Sequence, residues 1–237
     1  MVIVKPSATI MLARDTTEGI EVLLLKRNKA LKFAAGLWVF PGGKIEPDEI
    51  ERGKDDIGAA KLAAVRETKE EANIDIDIDS LLLFSHWTTP AVQPRRFSTW
   101  FFFADVSGQD LTVTIDDSEI KKHDWVNPQK ALDSVQKGGL AMMPPTYISL
   151  QRIRKCKTVV EASTLLGELD PIYILPVLKM KEGKMVCMYE GDAGYTTGDA
   201  DLVGPRHRLI ANMLNGDFAF EYCDCDEIVP VNAGMHL

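Results

Sequence analysis

The chain has 237 residues, 46% of them hydrophobic, with 35 acidic against 27 basic side chains and a net charge of −8. That balance describes a globular chain with room for a sizeable core in one large domain, or one domain with a small extension. It argues against a nucleic-acid binder, whose footprint is normally a basic face, but not against an anionic substrate, because a divalent metal can supply positive charge.

The opening MVIVKPSATIML lacks the n-region and cleavage site of a secretory signal. No apolar run approaches the ~20 residues that cross a bilayer, and the final AGMHL is no known address. A cytoplasmic protein without a membrane partner is expected. Cys156, Cys187 and the pair Cys223/Cys225 have no matching Cys or His spacing for a metal site and read as free thiols.

In chain order, SATIMLA and IEVLLLKR predict two strands joined through the polar turn RDTTEG. GLWVF is a short strand ending at Pro41. Residues 56–72 are rich in Ala, Lys, Arg and Glu, with no proline and no glycine after Gly58, and predict a helix. After Asn73 the period changes to two, predicting strands in NIDIDIDSLLLFSHW and, beyond a Pro-bearing loop, in FSTWFFFADV. The alternation would put Asp75, Asp77 and Asp79 on one solvated face. EIKKHDWV predicts another strand, Pro128 a helix start, and PPTYISLQRIRKC and VVEASTLLGEL two further helices. From Pro171 the texture turns to short strand candidates: IYILPVLKM, GKMVCMYEGD, HRLIANML and DFAFEYCD. The expected division is residues 1–169 and a β-rich tail, 170–237, which could serve as a lid or as a homodimer interface.

The predicted helix carries Glu67, Glu70 and Glu71 on one face, since residues three and four apart are neighbours. Taken alone, such a face is most often simply solvated. Oxygen ligands this dense also suit Mg²⁺ or Mn²⁺, which bind a few carboxylates and keep positions open for phosphates. Arg66 can hold a neighbouring carboxylate in one rotamer. The preceding PGGK, residues 41–44, lets backbone approach a metal or phosphate with no Cβ in the way, and the two features together are more specific than either.

This segment resembles the Nudix box, G-x5-E-x7-R-E-U-x-E-E-x-G-U with U a bulky aliphatic. Gly43 and Glu49 match its first half, and RETKEEANI, residues 66–74, its second. Thr68 stands where an aliphatic is usual and Asn73 where Gly is usual, Asn being the next-best residue for a left-handed helix end. Sixteen residues separate Glu49 from Arg66 where the pattern has seven; the excess, in ERGKDDIG, looks like a surface loop and puts the role of Glu49 in question. The resemblance implies an α/β/α sandwich with a mixed sheet, extended here by C-terminal helices and strands. It also implies metal-dependent hydrolysis of a nucleoside diphosphate derivative. Glu67, Glu70, Glu71 and a Gly43 carbonyl would be metal ligands and Arg66 would orient Glu67. Either Glu67 or a distal acid, for which Glu119 is the candidate, would help deprotonate the attacking water.

Upstream, residues 23–43 are similar to the signature of coenzyme A diphosphatases, with Leu23, Leu24, Leu25, Arg27, Gly36, Phe40, Pro41, Gly42 and Gly43 in register. Asn28 replaces a small residue and Lys32 an arginine, which keeps the charge but loses the bidentate fork. HWTTPAVQPRRFSTWFFFADV, residues 86–106, and LAMMPPTYISLQRI resemble the CoA-hydrolysing branch of the family. CoA carries a 3′-phosphate beside its diphosphate, so Arg27, Lys32, Arg95 and Arg96 are candidate substrate-binding cations, although each alone is most often a solvated charge. Trp38, Trp87 and Trp100 could stack on adenine, but core packing is their usual fate. The rivals are a pyrophosphatase for ADP-ribose, NADH or another nucleotide derivative, and a non-catalytic nucleotide sensor.

Overall fold

The computed structural model describes residues 3–109, 111–212 and 220–223. The chain opens with a long hairpin, β1 (Val4–Thr16) and β2 (Gly19–Arg27), whose register closes at Thr16 and Gly19. The turn is therefore shorter than RDTTEG suggested, because strand pairing runs up to Thr16. Next come β3 (Trp38–Val39), β4 (Gly42–Lys44), α1 (Pro47–Arg52), α2 (Asp56–Ala72), a 3₁₀ turn (Ile78–Ser80), β5 (Leu82–Thr88), β6 (Arg96–Asp105) and β7 (Ile120–Val126). Three helices follow, α3 (Pro128–Gln136), α4 (Pro144–Ile153) and α5 (Val159–Gly167), and then β8 (Ile172–Ile174), β9 (Val177–Lys181), β10 (Lys184–Met188), β11 (Arg208–Asn212) and β12 (Phe220–Cys223).

The main sheet runs β3-β2-β1-β6-β5-β8, with β4 also paired to β1 and β7 to β2. It is mixed, β1 lying parallel to β6 and β5 parallel to β8. Its central strands are apolar on both sides because both faces are covered. Met11, Ala13, Val22 and Leu24 pack into a cluster with residues of α3, α4 and α5. The alternate residues Ile10, Leu12, Leu23 and Leu25 pack with the alanines of α2. This is the α/β/α sandwich expected from the sequence.

α2 begins where composition placed it. The Asp55 carboxylate accepts from the Gly58 N–H at 2.6 Å, and Asn73 ends the helix in the left-handed conformation, φ 56° and ψ 35°. Its inner side is small, with Ala59, Ala60, Ala63 and Ala64 all buried, so helix and sheet lie close together. Thr68 is also fully buried there, and its hydroxyl has no hydrogen-bond partner among the described residues. An orphan buried hydroxyl costs about 1–3 kcal/mol. Thr68→Val keeps the shape and removes that cost, so it should raise the melting temperature by a few degrees, about 2–4 °C per kcal/mol in a chain of this size. A thermal melt showing loss of stability instead would mean the hydroxyl is satisfied by buried water.

Two strand expectations need correction. Residues 73–77 are not extended into β5. Asp77 instead turns its side chain onto the Asp79 N–H at 3.0 Å and its carbonyl accepts from the Ser80 hydroxyl, a local capture of backbone typical of aspartate. Asp75, Asp77 and Asp79 are exposed, as expected of a solvated set. IYILPVLKM divides at Pro176, which lacks an N–H; β8 joins the main sheet beside β5, and β9 opens a second, antiparallel sheet, β12-β11-β10-β9.

That second sheet shares the core of the first through Cys187, Tyr189, Leu209 and Ala211. It is clipped by Asp192, whose carboxylate accepts from Arg208 Nε at 2.6 Å and from the His207 and Gly194 N–H groups. Burial alone would raise this carboxyl; those donors outweigh it and hold it below its ordinary range. Cys156 and Cys187 are free thiols, while Cys225 and half of DFAFEYCD lie outside the described residues. Among the described residues no helix is long and apolar enough to cross a membrane.

Candidate active site

β4, α2 and the end of β2 bring the carboxylates together. Gly42 and Gly43 pair with Thr9 and Ala8 of β1, which lays their backbone directly under α2. A Cβ on Gly42 would overlap the Ala8 carbonyl and the Thr9 backbone, so only glycine fits there, and one on Gly43 would push the Glu67 carboxylate out of its place. The Gly42 N–H donates to Glu71 Oε2 at 2.9 Å.

Arg66 organises the other side. Its Nε donates to Glu49 Oε1 at 2.8 Å, Nη1 to Glu67 at 2.9 Å and to Glu70 at 3.0 Å, and Nη2 to the Lys44 carbonyl at 2.9 Å. The residues in excess of the family spacing therefore do not displace Glu49. They fold as the end of α1 and a short turn, and Glu49 is only 3% exposed, accepting also from the Glu46 N–H at 2.8 Å. The signal was present in EPDE, residues 46–49: a proline at the first helical position, and a glutamate placed to reach back to the cap.

At the far edge Arg27, at the end of β2, lies 3.8 Å from Glu71 and 3.4 Å from Glu119. Glu119 immediately precedes β7, as expected, and its backbone carbonyl accepts from the Asn28 N–H at 2.7 Å. Lys32 and Arg95 meet away from the carboxylates, where Arg95 Nη1 donates to the Lys32 carbonyl at 3.0 Å. Arg96 Nε instead donates to the Thr89 carbonyl at 3.0 Å and closes its own loop. Trp38 and Trp87 are core residues; Trp100 is half-buried, 4.3 Å from the His86 ring. Of the GPRHRL cluster, Arg208 belongs to the clip in the second sheet.

The electrostatics single out Glu71. Burial pushes its carboxyl up to about 8, the Gly42 N–H opposing and the Glu67 charge reinforcing the shift. Burial also raises the Glu67 carboxyl, with Arg66 opposing. The Glu49 hydrogen bond, followed by those to Glu67, holds the Arg66 guanidinium well above its ordinary range. Among the described residues no three acidic, His or Cys side chains yet converge on one point. Glu70 is turned onto Arg66 but its side chain is 58% exposed and free to swing. A divalent cation nevertheless fits. The donors are all hard oxygens, Gly43 leaves the space a Cβ would fill, and Arg27 comes no nearer to the buried Glu71 carboxyl than 3.8 Å.

A raised Glu71 has a sign that can be checked. In the metal-free protein it favours the protonated folded form, so its stabilising contribution is complete below about 4.5 and is lost as pH rises through about 8. A metal must displace that proton, so apparent affinity should rise with pH up to the same point and binding should release a proton. Calorimetric metal titrations at neutral pH in two buffers of different ionisation enthalpy measure that release; no buffer dependence would exclude Glu71 as the titrating ligand.

Residues 4–144 match the model of the NUDIX domain. The chain belongs to the Nudix family. It is 26% identical over 248 residues to a protein named "Putative nudix hydrolase 7" from Caenorhabditis elegans, an alignment covering 90% of this chain and 81% of that one. It is 30% identical over 110 residues to the CTP pyrophosphohydrolase of Escherichia coli, covering 46% of this chain and 70% of the relative. Among solved structures, a NUDIX hydrolase from Alicyclobacillus acidocaldarius superposes with a TM-score of 0.65 at 25% identity, covering 72% of this chain and all of that one. This Nudix protein is thus a hydrolase of pyrophosphate bonds in small nucleotide derivatives, a class that uses divalent metal ions.

Proposed function

We propose that this Nudix hydrolase cleaves the diphosphate of CoA or acyl-CoA in the cytoplasm with Mg²⁺ or Mn²⁺, giving 3′,5′-ADP and (acyl-)4′-phosphopantetheine. The observation that carries the CoA assignment is the Arg95–Lys32 contact. Two segments 63 residues apart, each similar to the CoA-hydrolysing branch, meet there in space. The contact brings the Arg95 guanidinium to the backbone of Lys32, so two residues with cationic side chains adjoin where a phosphate outside the metal centre could bind.

In this mechanism Glu67, Glu70, Glu71 and the Gly43 carbonyl would hold the metal, which would supply positive charge to the diphosphate and lower the pKa of a water. Arg66 fixes Glu67 through Nη1 and is itself fixed by Glu49, so the carboxylate enters the reaction already oriented. Glu67, or Glu119 held by Arg27, takes the proton of the attacking water. Arg27 stands between Glu71 and Glu119, where it can meet a substrate phosphate as the leaving oxygen gains charge.

The test offers CoA, an acyl-CoA, ADP-ribose, NADH and CTP at equal concentration with Mg²⁺, and reads products by mass spectrometry. Preferential release of 3′,5′-ADP supports the proposal. Preference for ADP-ribose, NADH or CTP would mean that Asn28 and Lys32 break the signature. No turnover of any, with Mn²⁺ also tried, would leave the sensor.

A further inference from the structure

We infer that Phe33 is the stacking surface for the adenine of the substrate, set in a cationic two-loop clamp. This deepens the CoA reading and rests on it. The first loop, residues 28–37, joins β2 to β3. Its base closes through the Arg27 N–H on the Leu37 carbonyl at 2.9 Å, and Asn28 ties its start to the segment just before β7, Nδ2 donating to the Ser118 carbonyl at 2.9 Å. It therefore rises directly from the edge of the carboxylate centre. The second loop, residues 89–95, joins β5 to β6, and the Thr89 N–H closes it on the Phe97 carbonyl at 2.8 Å.

The first loop meets the second where Arg95 donates to the Lys32 carbonyl, and meets the start of β6 through the rings of Phe33 and Phe97, 4.9 Å apart and tilted by 46°. Phe33 stays 39% exposed while its ring rests on Phe97. Neither residues 28–37 nor 88–96 contain an acid, while together they hold Lys29, Lys32, Arg95 and Arg96, in a chain where acids outnumber bases 35 to 27. A phosphate site alone has no use for an open phenyl ring, and an apolar site alone has none for the cations. A planar base beside a phosphate uses both.

The test is calorimetry on the metal-free full chain with the two product halves, 3′,5′-ADP and 4′-phosphopantetheine. Phe33→Ala should weaken 3′,5′-ADP about tenfold, the scale of losing one aromatic stacking partner of a base. It should leave 4′-phosphopantetheine within about twofold, and Phe33→Trp should keep 3′,5′-ADP binding. Unchanged 3′,5′-ADP binding by Phe33→Ala, a loss confined to 4′-phosphopantetheine, or no binding of 3′,5′-ADP to the wild type would each overturn the inference. If Phe33→Ala weakens 3′,5′-ADP but CoA is not cleaved, the hydrolytic assignment falls and the stacking role stands. If CoA is cleaved and Phe33→Ala binds 3′,5′-ADP normally, the reverse holds.

Discussion

Arg66→Ala should destabilise the protein by about 3–5 kcal/mol, because it strands a buried charge. Glu49 is 3% exposed, and its cationic partner among the described residues is Arg66. For a chain of this length that loss lowers the melting temperature by roughly 10 °C. Activity should fall as well, since the same side chain holds Glu67 and Glu70. Arg66→Lys should rescue little of either effect, as one ammonium cannot span Glu49, Glu67 and the Lys44 carbonyl together. The double variant Arg66→Ala with Glu49→Gln separates the two roles. Removing the stranded charge should restore most of the stability and none of the turnover. A single variant that melts like the wild type would show that Glu49 finds water or another donor.

Glu71→Gln should do the opposite, lowering turnover by more than about a hundredfold, beyond the effect of removing a ligand's supporting partner, while sparing the fold. Burial already holds the Glu71 carboxyl protonated up to about 8, so glutamine imitates its resting state. The amide oxygen can still accept from the Gly42 N–H that now meets Glu71 Oε2 at 2.9 Å. The metal-free variant should melt at or above the wild-type temperature, most clearly at alkaline pH where the wild type must bury a charge. What it should lose is the stabilisation conferred by metal, about 2.7 kcal/mol at a hundred times the dissociation constant. Wild-type turnover, or an undiminished metal-induced shift in melting, would remove Glu71 from the ligand set. Glu70→Gln should also abolish turnover with the fold intact.

Local chemistry in the sequence determined a good deal. The composition of residues 56–72 set α2, Asn73 its left-handed end, and the apolar runs of β1 and β2 a sheet covered on both faces. The spacing of Arg66, Glu67, Glu70 and Glu71 behind Gly43 named the family, because those positions are bound by helical periodicity and by a glycine whose missing Cβ leaves room for the Glu67 carboxylate. The tertiary structure decided what depends on partners distant in the chain. Glu49 lies 17 residues from Arg66, and counting residues could not show that α1 folds the excess back to restore the pair. Arg27 reads as a substrate cation in the sequence, but β2 and the approach to β7 place it between Glu71 and Glu119, which depends on strand order. The elevated Glu71 carboxyl likewise follows from burial under α2, a property of the packed sandwich that no run of side chains contains.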